Sequence, residues 1–163
     1  MSRHALKRIL AFFSASVIGA AVDPTAIQAK DLNIKAVTFL EGDCRLQLTK
    51  GFVPCKGSVM WTEYDNGREM LSFFKGDTAF SLSGGGDRQP NPENYYQSID
   101  TIRILEGGKR SGAGQGVEGE CHFNLNEDAT KFFSIKCDVY NRRNGSSYKF
   151  HLENIRNFKR KTF

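Results

Sequence analysis

The chain has 163 residues, with 23 Lys and Arg, 18 Asp and Glu, and four Cys. We predict that the first 29 residues are removed, which leaves about 134, enough for one domain with its own core. Three basic residues and one acidic residue leave with that segment, so 20 basic and 17 acidic side chains remain, a net charge of +3. This near balance argues against nucleic acid as the partner.

Residues 1–29 have the pattern of a cleaved export signal. A basic opening precedes an apolar run over residues 9–22, and small residues follow it. We predict cleavage after Ala29, with cleavage after Ala21 as the alternative. The apolar run ends at Asp23, short of the roughly 20 residues that a spanning helix needs. We therefore expect no transmembrane segment in the mature chain, and a periplasmic or secreted protein.

Residues 30–41 alternate loosely at period two, which predicts an edge strand or an extended lead-in, and residues 45–49 are a predicted short strand. A hairpin over residues 57–75 follows. Asn66-Gly67 predicts a two-residue type I′ turn, which pairs Asp65 with Arg68. Both faces of this hairpin carry apolar side chains, so each needs a covering layer. We place the hairpin at the centre of a β-core.

Five more strands are predicted after the hairpin, over residues 78–83, 95–105, 120–125, 132–140 and 147–155. Residues 84–94 and the glycine-rich residues 106–119 are predicted loops. Nothing in the pattern predicts a helix of more than three turns. The fold class is therefore all-β, a small antiparallel barrel or sandwich of about eight short strands after the signal segment. The meander order favours an up-and-down barrel.

The four cysteines, Cys44, Cys55, Cys121 and Cys137, all follow the signal segment. An even number of cysteines in an exported chain is typical of disulfides. Four cysteines allow three pairings, and we prefer Cys44 with Cys55 and Cys121 with Cys137, because each pair then brackets one short connection. A zinc site fits poorly, since the chain has no Cys-x-x-Cys spacing. We expect no metal and no cofactor.

Catalytic candidates are few. His122 and His151 would bind a metal or share a proton if their strands were neighbours, and otherwise they are polar residues on outer strand faces. Six scattered carboxylates offer an acid and a base for glycan hydrolysis, or else solvated turn residues: Glu63, Asp65, Asp77, Asp87, Glu93 and Asp100. No catalytic residue is assigned.

The C-terminal part is basic. Residues 142–163 hold seven Lys or Arg against one Glu, a net charge of +6, so the rest of the mature chain is mildly acidic. We predict a basic tail over residues 156–163, after a single β domain over residues 30–155. Four residues of the tail are candidates for binding an anionic surface, with a solvated tail as the alternative: Arg156, Lys159, Arg160 and Lys161.

The predicted function is a disulfide-stabilised, non-catalytic binding or structural module of the cell envelope. The partner is an anionic envelope component or another envelope protein. The alternatives are an envelope glycan hydrolase using carboxylates near the hairpin, and an enzyme inhibitor that presents residues 84–94. Six aromatic side chains fill a solid core or line a small pocket: Trp61, Phe73, Phe74, Phe80, Tyr95 and Tyr96.

Overall fold

The computed structural model describes residues 32–48, 51–110 and 114–163. Every regular element in these residues is a β-strand, which confirms the predicted all-β class. The predicted export signal, residues 1–29, lies outside them. The eleven strands are β1 (Ile34–Gln47), β2 (Val53–Pro54), β3 (Ser58–Tyr64), β4 (Glu69–Lys75), β5 (Thr78–Gly84), β6 (Arg88–Asn91), β7 (Asn94–Glu106), β8 (Lys109–Arg110), β9 (Gln115–Leu125), β10 (Phe132–Asn141) and β11 (Ser146–Thr162).

Eight of the strands form a closed antiparallel barrel. Their order around the sheet is β1, β3, β4, β5, β7, β9, β10 and β11, and β11 pairs with β1 to complete the ring. Each strand thus pairs with the next long strand along the chain, so the connectivity is the up-and-down meander that the sequence favours. The short strands β2, β6 and β8 are additions to the edges of β1 and β7.

The barrel is filled by side chains from the inner face of each strand. In β1, every second residue from Ala36 to Leu46 is buried, as expected where alternate side chains point into a barrel. Phe73, Phe123 and Phe150 are fully buried in the interior, and the rings of Phe73 and Phe150 lie 5.2 Å apart. The interior of an eight-stranded barrel is just wide enough for side chains to fill, so most of this barrel is solid core.

The central hairpin forms, but its predicted turn and register are wrong. Met60 pairs with Ser72 and Glu63 with Glu69, so the loop holds three residues instead of two. Within residues 65–67 only Gly67 has a positive φ, 77°, whereas a type I′ turn needs two such residues. The backbone N–H of Gly67 donates to the carbonyl of Tyr64 at 3.2 Å, so the chain turns over these residues and ends in a left-handed glycine.

The one-residue difference in register changes which side chains share a face. Trp61 is opposite Leu71, so the two point into the barrel together with Phe73. The predicted contact between Asp65 and Arg68 is also wrong. Arg68 instead reaches β7, where its guanidinium donates hydrogen bonds of 2.9 and 2.6 Å to the two carboxylate oxygens of Asp100.

Several boundaries differ from the predicted ones. The predicted loop over residues 84–94 contains β6, and the predicted loop over residues 106–119 contains β8 and the first five residues of β9. Two further differences lie where β1 meets β11. The two strands predicted at residues 30–41 and 45–49 are one continuous strand, with a register shift between Glu41 and Asp43 where it pairs with β11. The segment predicted as a basic tail, residues 156–163, continues β11 as far as Thr162 and pairs with the start of β1. The barrel is closed by this pairing at one end and by the pairing of residues 149–153 with residues 43–47 of β1 at the other.

Both disulfides have the pairing preferred from the sequence. Cys44 is joined to Cys55 near the end of β1. Cys121 is joined to Cys137 between the neighbouring strands β9 and β10, and both of these residues are fully buried. Each disulfide closes a short loop, which stabilises the fold by about 3 kcal/mol in the chain-entropy account. The protein is thus a disulfide-stabilised β-domain.

Candidate functional site

One end of the barrel holds an open pocket of about 640 Å³. This end carries the β3–β4 turn, the connection between β5 and β7, and the β9–β10 turn. Residues from the β5–β7 connection, from the β9–β10 turn and from seven barrel strands surround the space, which we name the mouth pocket. Its lining consists of Lys35, Trp61, Glu63, Glu69, Asp87, Gln89, Tyr95, Leu125, Ala129, Thr130, Phe132, Phe158 and Arg160.

A buried carboxylate, that of Glu69, is the central polar group of the mouth pocket. Glu69 begins β4 and points inward, in step with Leu71 and Phe73, and only 8% of it is exposed. The indole N–H of Trp61 donates to Oε2 at 2.9 Å, and the hydroxyl of Tyr95 donates to Oε1 at 2.8 Å. Each carboxylate oxygen therefore has one donor from the protein.

The position of Glu69 depends on a glycine directly opposite it. Gly84 pairs with Glu69 at the end of β5. A Cβ atom on Gly84 would lie 1.7 Å from the carbonyl oxygen of Ser98, a distance that no side chain tolerates. Glycine at this place lets β5 approach β7 closely and leaves no side chain opposite the carboxylate.

Burial dominates the electrostatics of Glu69. Loss of hydration disfavours the charged carboxylate and raises the pKa from 4.5 to about 7, with the charges of Asp87 and Glu63 adding to the rise. The hydrogen bonds from Tyr95 and Trp61 act in the opposite direction. Burial raises the pKa of Tyr95, as does the neighbouring charge of Glu69, so its hydroxyl keeps its proton and remains a donor.

Aromatic rings form the apolar walls around this carboxylate. The ring of Trp61 lies 5.0 Å from that of Phe123, 5.9 Å from that of Tyr95 and 6.0 Å from that of Phe132. The ring of Phe132 in turn lies 5.6 Å from that of Phe158, which is partly exposed at the rim. Rings at these distances pack in edge-to-face and tilted arrangements that stabilise each other.

The rim of the mouth pocket is charged. Arg160, near the end of β11, makes a two-fold hydrogen-bonded ion pair with Glu63, with Nη2 at 2.9 Å from Oε2. The side chain of Glu63 is largely buried by this contact. Because Glu63 is directly opposite Glu69 across β3 and β4, two carboxylates face the same space. Glu63 is paired with the guanidinium of Arg160, whereas Glu69 accepts hydrogen bonds from neutral donors.

Two further polar side chains are buried in the interior without a hydrogen-bond partner among the described residues. They are the hydroxyl of Thr38 and the side-chain amide of Gln97, which is fully buried. Thr38 sits in register between Trp61 and Arg160, which both line the mouth pocket. Gln97 follows Tyr95 by two residues on the inner face of β7. Such groups need partners, since an unmade buried hydrogen bond costs about 1–3 kcal/mol.

The four predicted anion-binding residues are split between the two faces of β11. Arg160 turns into the mouth pocket, and Arg156 forms an ion pair of 3.2 Å with Asp43. Lys159 and Lys161 alternate with Arg160 along the strand, so they point outward. The ammonium of Lys161 lies 4.8 Å from the ring of Phe163.

The six aromatic residues that the sequence analysis considered lie in three places: the mouth pocket, the core and the outer surface. Trp61 and Tyr95 line the mouth pocket, and Phe73 and Phe80 fill the core. Phe74 and Tyr96 face outward. The ring of Tyr96 is covered on the outer surface by stacking on His122 at 4.5 Å and by the guanidinium of Arg88 at 3.7 Å.

The two histidines do not meet. Strand β10 lies between their strands, and Lys136 pairs with His122 on one side and with His151 on the other. A hydrogen bond of 2.7 Å joins Nε2 of His122 to Oδ1 of Asn94, and His151 packs against Phe52. In the part of the chain that the structure describes, no group of three or more His, Cys, Asp or Glu side chains is placed to hold a metal ion.

Of the six candidate carboxylates, only Glu63 and Asp87 line the mouth pocket. Asp65 accepts a hydrogen bond from Asn33, and Asp100 is bound to Arg68. Glu69, the most buried carboxylate of the site, was missed by the sequence analysis. Its signal was present, because period two places Glu69 on the same face as Leu71 and Phe73.

Comparison of the chain with protein-family models, with curated proteins and with solved structures finds no match. None of the described segments forms a helix that is long and apolar enough to cross a bilayer. The function is therefore inferred from the chemistry of the mouth pocket itself.

Proposed function

We propose that the protein is an exported binding protein of the cell envelope that takes a small ligand into the mouth pocket and catalyses no reaction. The observation that carries the proposal is the combination of aromatic walls with one buried carboxylate at an open end of the barrel. Ligand sites are typically concave, mostly apolar, roughly 300–1,000 Å³ in volume, and supplied with a few placed polar groups. The mouth pocket has a volume in this range and aromatic walls, and charged side chains form a larger part of its lining than in a typical apolar site.

The roles of the two facing carboxylates favour binding over catalysis. Glu63 is committed to Arg160, and the two oxygens of Glu69 accept hydrogen bonds from Trp61 and Tyr95. Both groups are fixed by the protein before any ligand enters, as in a site organised for recognition. Export is supported by the pattern of residues 1–29 and by the two disulfides, which form in oxidising compartments.

The test is the intact mass of the mature protein, purified from an oxidising compartment without detergent and measured under native and denaturing conditions. We expect additional mass in the native sample that is lost on denaturation. The pocket-filling variant T130W should lose it, whereas K109W, at the opposite end of the barrel, should keep it. Equal native and denatured masses, together with no small molecule binding to the purified protein, would overturn the proposal. The same sample gives the mature N-terminus and so tests export.

An envelope glycan hydrolase is the second candidate, because Glu63 and Glu69 are directly opposite each other in one pocket. A pair of carboxylates in unlike environments is the arrangement that glycoside hydrolysis uses, with the group of raised pKa as the acid. This candidate requires release of reducing ends from cell-wall glycan, abolished in both E63Q and E69Q. Absence of turnover in the wild-type protein removes it.

We propose further that Lys159 and Lys161 are the contact with an anionic component of the envelope. They point away from the barrel, next to the exposed ring of Phe39, which pairs with Lys159. Each such cation adds about 1 kcal/mol near an anionic membrane. Deleting residues 156–163 would also remove part of the pairing between β11 and β1, so the suitable variant is K159E/K161E. It should lose retention on anionic vesicles at low salt. Unchanged retention would contradict this role.

A further inference from the structure

The floor of the mouth pocket offers more hydrogen-bond acceptors than donors. A carboxylate has about four lone-pair sites, and Trp61 and Tyr95 occupy two of those of Glu69. The hydroxyl of Tyr95 has a single hydrogen, which it donates to Glu69. The remaining lone pairs of Glu69 are therefore open to a ligand that brings N–H donors.

The charges around the pocket favour a cation as the ligand. The lining contains three carboxylates and two basic side chains, and Arg160 is already paired with Glu63. Glu69 and Asp87 then face the space with only Lys35 to balance them. An anionic ligand would meet two carboxylates, and a neutral apolar ligand would bury a charged group without a partner, which is costly.

The aromatic walls of the pocket also attract a cation. The rings of Trp61, Tyr95, Phe132 and Phe158 surround the carboxylate, and aromatic rings attract cations through their negative faces. Trp61 has the strongest attraction of the aromatic residues for a cation.

Resting on the proposed binding function, we infer that the ligand of the mouth pocket is a small organic cation whose ammonium group binds between Glu69 and Asp87, with its apolar part against the rings of Trp61 and Phe132. The protein is thus an amine-binding module of the envelope.

The inference is tested with three probes of similar shape and different charge: 2-phenylethylammonium, the neutral 2-phenylethanol and the anion 3-phenylpropanoate. Trp61 is the single tryptophan of the chain and lines the pocket, so its fluorescence reports binding directly. At pH 8 we expect the cation to bind about tenfold more tightly than the alcohol, and the anion most weakly. E69Q should remove the preference for the cation, and E106Q, an exposed carboxylate at the other end of the barrel, should keep it.

A pH series adds an independent readout. Protonation of Glu69 as pH falls below about 7 should weaken binding of the cation but leave that of the alcohol unchanged. The other charged or titratable groups that line the same pocket are Lys35, Glu63, Asp87, Tyr95 and Arg160. The pH dependence should therefore disappear in E69Q and persist in E106Q.

The outcomes separate the two proposals. If the alcohol or the anion binds as tightly as the cation, the inferred ligand class is wrong while the pocket remains a binding site. If the native mass shows a ligand that carries no amine, the same conclusion follows. If no probe alters the emission of Trp61 and the native mass shows no ligand, the binding function falls together with the inference.

Discussion

Replacing Glu69 by Gln should remove a pH dependence from the free energy of unfolding. The pKa of this carboxyl is 4.5 before folding and about 7 in the folded barrel. The folded state therefore holds the proton more tightly than the unfolded state does. This linkage stabilises the fold fully below pH 4.5, and the stabilisation is lost as pH rises through about 7.

The magnitude follows from the two pKa values. Each pH unit between them corresponds to about 1.4 kcal/mol, so the whole effect is about 3 kcal/mol, of which about 2.5 kcal/mol falls between pH 5 and pH 8. Glu69 is almost fully buried, so screening by solvent does not reduce this value substantially. Relative to E69Q, the wild-type protein should gain about 2.5 kcal/mol of stability when pH is lowered from 8 to 5.

The assay is denaturant unfolding with the disulfides intact, followed by the fluorescence of Trp61 at four pH values from 5 to 8. His151, whose pKa is lowered by burial, is common to both proteins, so its contribution cancels in the difference. E106Q serves as the matched control and should unfold with the pH dependence of the wild type. A difference between E69Q and the wild type that stays constant within about 0.5 kcal/mol from pH 5 to pH 8 would refute the linkage reasoning.

Three other perturbations have definite expected results. G84A should destabilise the barrel by about 3 kcal/mol or more, because its Cβ would overlap the carbonyl of Ser98, whereas G116A, with open space around it, should be nearly neutral in thermal unfolding. Under mild reduction of the native protein, alkylation should appear first at Cys44 and Cys55, since the β9–β10 disulfide is fully buried; simultaneous labelling of both pairs would contradict this. Deletion of residues 156–163 should lower the midpoint of denaturant unfolding, because it removes six of the residue pairs that join β11 to β1, and a deletion variant with the stability of the wild type would contradict this.

The sequence determined the local features of this protein because their signals lie within a few residues of each other. Period-two alternation marks each long strand, and turn residues mark the hairpin between β3 and β4. The preferred disulfide pairing followed from the short connections that each pair brackets. The same alternation places Glu69 among inward-facing apolar residues, so its burial was readable in principle from β4 alone.

The features that depend on distant neighbours were not readable in this way. The register of the hairpin was wrong by one residue because Asn-Gly also fits a three-residue loop, and packing of Trp61 and Leu71 on one face selects between the two. The basic residues 156–162 have the composition of a solvated tail. They form a strand because residues 36–41 of β1 present an open edge that must be paired.

The mouth pocket is the clearest case of a feature decided by tertiary structure alone. Its lining comes from strands at both ends of the chain, and Arg160 and Glu63, which form its ion pair, are 97 residues apart in sequence. Alternation fixes which face of a strand is apolar, but it carries no information on which strand lies beside it. Only closure of β11 on β1 brings the rings, the buried carboxylate and the rim charges to one place, because closure sets which inward-facing side chains share a level of the barrel.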